Sequence, residues 1–107
     1  MLNLLITRDK WVRGQSGIFG KSRLLNNKGN MCCLGFLGKT CGVPVNEMLD
    51  KVYPIDLGPE YTKLFPEGLK GMVVDFIRSN DSGSEKTREE TLKELFLTIG
   101  VTVEFVD

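Results

Sequence analysis

A chain of 107 residues fits a single domain, and 41% hydrophobic with 26% charged residues are ordinary globular values. Lysine plus arginine and aspartate plus glutamate both number 14, so the net charge is zero and the basic excess of a non-specific nucleic-acid binder is missing. Histidine is absent, which removes the usual proton shuttle of an acyl-transfer site.

Charge is nevertheless uneven along the chain. Residues 8–39 carry Arg8, Lys10, Arg13, Lys21, Arg23, Lys28 and Lys39 against Asp9 alone, and the acids gather from Glu47 onward. A basic N-terminal third can meet a small anionic ligand such as a nucleotide, or an acidic partner surface, although a solvated face is the default for such charge.

Leu2–Ile6 is a short apolar run with no basic n-region and no cleavage site, so it does not read as a signal peptide. Thr7 is placed to cap a helical turn over Arg8–Arg13, with Gly14 as its stop. Gln15–Lys21 follows the first of three glycines (Gly14, Gly17, Gly20) and reads as a flexible loop. It lacks the lysine of a phosphate-binding P-loop. Ser22–Leu25 and Asn30–Cys32 flank Asn26-Asn27-Lys28-Gly29, the turn chemistry of a β-hairpin.

From Cys33 to Cys41 the apolar positions Cys33, Phe36, Leu37 and Cys41 share one helical face, and Gly42 closes the helix. Gly35 and Gly38, three apart within it, imply close approach of a neighbouring element. Pro44 and Asn46 open another turn to about Lys51. Val52–Pro66 reads as a loop held to the body by Tyr53, Leu57, Tyr61, Leu64 and Phe65. Met72–Ile77 is apolar and β-branched and favours a strand slightly over a helix. Asp75 within it faces water or needs a cation such as Arg13 or Arg23.

Asn80–Ser84 reads as a polar turn. Thr87 with Glu90 forms a capping-box pattern before the stripe Leu92, Leu95, Phe96, Ile99, and Gly100 ends that helix. Val101–Val106 alternates as a closing strand. The fold class expected is α+β: one domain over residues 1–107, with a hairpin, a short cysteine-containing helix, and a C-terminal helix leading into a strand. Its expected core is Trp11, Leu25, Phe36, Leu37, Leu92, Leu95, Phe96, Val103 and Phe105.

Cys32, Cys33 and Cys41 are odd in number, adjacent cysteines rarely bridge, and no apolar run approaches a membrane span. Free thiols in a reducing cytoplasm follow. The spacing offers no metal site and no cofactor motif. Cys33 at a helix start is the candidate nucleophile, because a helix N-terminus favours thiolate, but buried packing is the commoner fate of a free cysteine. The ligand-binding candidates are Trp11, Arg13, Lys21, Arg23, Asn80 and Asp81. Trp11 and Arg13 can stack on a planar anion, while Trp11 as a core anchor and Asn80-Asp81 as a simple turn are the structural alternatives.

Two resemblances add context. Cys32-Cys33-Leu34-Gly35-Phe36 followed by Cys41-Gly42-Val43-Pro44 resembles the Asp-Cys-Ser-Gly-Phe helix start of NlpC/P60 cell-wall peptidases. That match puts Cys33 at the nucleophile and implies a papain-like cysteine hydrolase or its inactive remnant. Leu34 stands where that family has serine, and its histidine has no counterpart here. Over most of the chain, Lys10-Trp11-Val12-Arg13-Gly14, Met31-Cys32-Cys33-Leu34-Gly35-Phe36, Leu95-Phe96 and Gly100-Val101-Thr102-Val103-Glu104-Phe105-Val106-Asp107 resemble a group of small uncharacterised phage and bacterial proteins. This resemblance implies a phage-type accessory protein in the host cytoplasm that blocks or sequesters a host component such as a defence protein. A nucleotide-binding role, the hydrolase and a homo-oligomer stay open as alternatives.

Overall fold

The computed structural model describes residues 2–12, 24–26, 28–49, 51, 57–65, 69–81 and 85–107. The expected loop over Gln15–Lys21, with Arg13 and Arg23 beside it, lies outside the described residues, as do Ser22 and Tyr53. The architecture is α+β: the described residues form two strands, β1 (Leu2–Thr7) and β2 (Val101–Val106), and five α-helices, α1 (Cys33–Thr40), α2 (Val45–Met48), α3 (Pro59–Thr62), α4 (Leu69–Asp81) and α5 (Glu85–Thr98).

The two strands come from opposite ends of the sequence and pair in parallel, Leu2 against Val101 through Thr7 against Val106. Alternation decides their faces. Leu4, Ile6, Val101 and Phe105 are buried, and Asn3, Leu5, Thr102 and Glu104 face out. Helix α5 runs back through Gly100, which adopts φ +76°, and lays Leu92, Phe96 and Ile99 in the core. Phe96 meets Phe76 of α4 edge-on with centroids 4.7 Å apart, and Phe76 in turn meets Phe65 at 5.9 Å. Of the nine expected core residues, Leu95 and Val103 are partly buried and the other seven are buried.

Several local expectations are corrected. Met72–Ile77 is helical, within α4; Val73, Phe76 and Asn80 are buried at i, i+3 and i+7, a period a short β-branched run disguises. Asp75 on that helix is exposed, so it faces water. Asn80 and Asp81 are the last turn of α4, not a loop. The turn after Thr7 is a 3-10 turn over Arg8–Lys10 without a side-chain cap. Trp11 is already extended, because its neighbours pair with Met31: Met31 N–H donates to Lys10 O at 2.9 Å and Val12 N–H to Met31 O at 2.8 Å.

The Asn26–Asn30 turn forms, with Asn26 Oδ1 accepting the N–H groups of Lys28 and Asn30. Its flanks pair elsewhere, Leu25 with Leu49 and Met31 with Trp11, so among the described residues the hairpin is reduced to its turn. α3 interrupts the expected loop, with Pro59 in the first turn, where its missing N–H costs no helical bond. Helix α5 starts at Glu85 and so includes Thr87, which the capping-box reading had put at the boundary. The residues around it are helix formers and carry the helix past that signal.

Candidate functional site

The features that suggested chemistry, the paired cysteines and the Trp11, Asn80 and Asp81 group, converge on the N-terminus of α1. Cys32 is the N-cap residue in extended conformation, and its carbonyl accepts the first helical bonds, from Gly35 N–H at 3.0 Å and Phe36 N–H at 3.1 Å. Close packing brings the neighbours in. A Cβ on Gly35 collides with the carbonyl oxygen of Leu24, and one on Gly38 comes within 2.6 Å of Met48 Sδ. Tyr61 sits over the same helix, its hydroxyl donating to Leu34 O at 3.3 Å.

Asn80 reaches this helix start from α4 and is 1% exposed. Its Oδ1 accepts Trp11 Nε1–H at 2.7 Å and the Cys33 N–H at 3.0 Å. Its Nδ2 donates to Val12 O at 2.9 Å and to Asp81 Oδ1 at 2.7 Å. A carboxamide offers two acceptor and two donor positions, and all four are used. One side chain therefore caps α1 from outside the helix and ties three segments together: residues 11–12, the start of α1, and the end of α4. Trp11 is buried with its ring 4.8 Å from that of Phe105, so its indole belongs to the core.

The structure brings Trp11, Asn80 and Asp81 together, and Asn80 hydrogen-bonds to both of the others. Arg13, Lys21 and Arg23 lie outside the described residues. Arg8 was not among the candidates. It holds Glu89 of α5 through Nε and Nη2, both at 2.9 Å, and Asp107 through Nη1 at 2.9 Å, an arrangement that ties the end of β1 to α5 and to Asp107. Only the topology makes that clamp visible.

The cysteines are free thiols: Cys32 and Cys33 are buried, Cys41 half-buried. A helix N-terminus favours thiolate, and backbone N–H groups do pull the Cys32 and Cys33 thiols down. Burial outweighs that pull. It pushes Cys32 up to about 12 and Cys33 well above the ordinary 9.0, and desolvation likewise raises Cys41. Cys33 Sγ faces the Phe76 carbonyl at 4.0 Å. Such a thiol is a protonated core side chain rather than a poised nucleophile.

Among the described residues no group of three or more histidine, cysteine, aspartate or glutamate side chains is placed to hold a metal ion, and no helix is long and apolar enough to cross a membrane. The chain matches no protein-family model, and neither a curated protein nor a solved structure shows significant similarity to it.

Proposed function

We propose that this protein acts by binding another protein, and that its partner is a host component, such as a defence protein, which it blocks or sequesters. The observation that carries the reading is Cys33, the residue with the best claim to be a nucleophile: it is 0% exposed, its thiol is held protonated, and the chain has no histidine to activate it. Apolar side chains that the core does not use are compatible with contact. Val45 and Leu49, one helical turn apart at α2, are 65% and 42% exposed. The phage-type resemblance of the sequence supplies the host context.

The test is capture of a partner from bacterial lysate by the tagged chain, followed by reconstitution from the two purified proteins. A stoichiometric complex with one host protein, formed equally well by Cys33→Ala, is expected. Turnover of a screened substrate that is lost in Cys33→Ser overturns the reading.

A further inference from the structure

We draw no further inference here: the strongest candidate, the exposed apolar surface patch of Val45 and Leu49 at α2, carries nothing beyond the contact already described, because nothing in the structure shows what covers it.

Discussion

At the scale of single residues, Asn80 and the two buried cysteines govern what the α1 start can do. Replacing Asn80 by alanine leaves Trp11 Nε1–H, Cys33 N–H and Val12 O without their partner in the interior. Each stranded group costs about 1–3 kcal/mol, and partial relaxation brings the expected loss to roughly 3–5 kcal/mol by urea melt. A loss under about 1 kcal/mol would mean that water reaches and satisfies these groups. The thiols make a pH prediction of definite sign. Their folded-state pKa values lie above the ordinary 9.0, so their contribution is complete below pH 9.0 and is lost as the unfolded chain ionises first. For Cys32 that window runs from 9.0 to about 12. Stability should fall by about 1.4 kcal/mol per pH unit for each thiol within it. Urea midpoints at about pH 8 and pH 10 check this, and the Cys32→Ala, Cys33→Ala double variant should flatten the decline.

At the scale of elements, the two glycines of α1 separate rigid from yielding neighbours. Gly35→Ala drives a methyl into the Leu24 backbone carbonyl, which cannot move without shifting its segment. Gly38→Ala meets the end of the Met48 side chain, which can swing away. Alanine gains about 0.5–1 kcal/mol over glycine in a helix interior in both cases. Gly35→Ala should therefore destabilise by about 1–3 kcal/mol, and Gly38→Ala should stay within about 1 kcal/mol of the original. Equal effects in denaturant melts would contradict the packing described.

These elements also show what a sequence can disclose. The α1 span, its glycine contacts and the Leu92–Ile99 stripe were legible because local periodicity determines them. The helical state of Met72–Ile77 was not, because a run with apolar residues on most positions fits both periods, and the buried Asn80 that completes the helical face looks like a turn residue. The partners of Leu25 and Met31 were invisible for a different reason: a turn motif fixes the loop it closes but not which strand its flanks prefer. Trp11 and the Asn80-Asp81 pair were separate candidates by residue type, and the junction that joins them through Asn80 depends on hydrogen bonds only the fold supplies.

At the scale of the whole molecule, the chain is closed by its two ends. β1 pairs with β2, Trp11 packs on Phe105, and Arg8 bridges to Glu89 and Asp107, so residues 2–11 and 89–107 form one structural unit across nearly the full sequence. Nothing in the local pattern of either strand specifies that parallel pairing. Between them, α1 brings Cys32 and Cys33 into the centre of the core, and the proposal of a binding protein depends on that placement. Differential alkylation measures it most directly. Iodoacetamide at neutral pH should modify Cys41 alone in the native chain, and all three cysteines once the chain is unfolded without reductant. Rapid labelling of Cys33 in the folded protein would contradict a buried, protonated thiol and reopen the enzymatic reading.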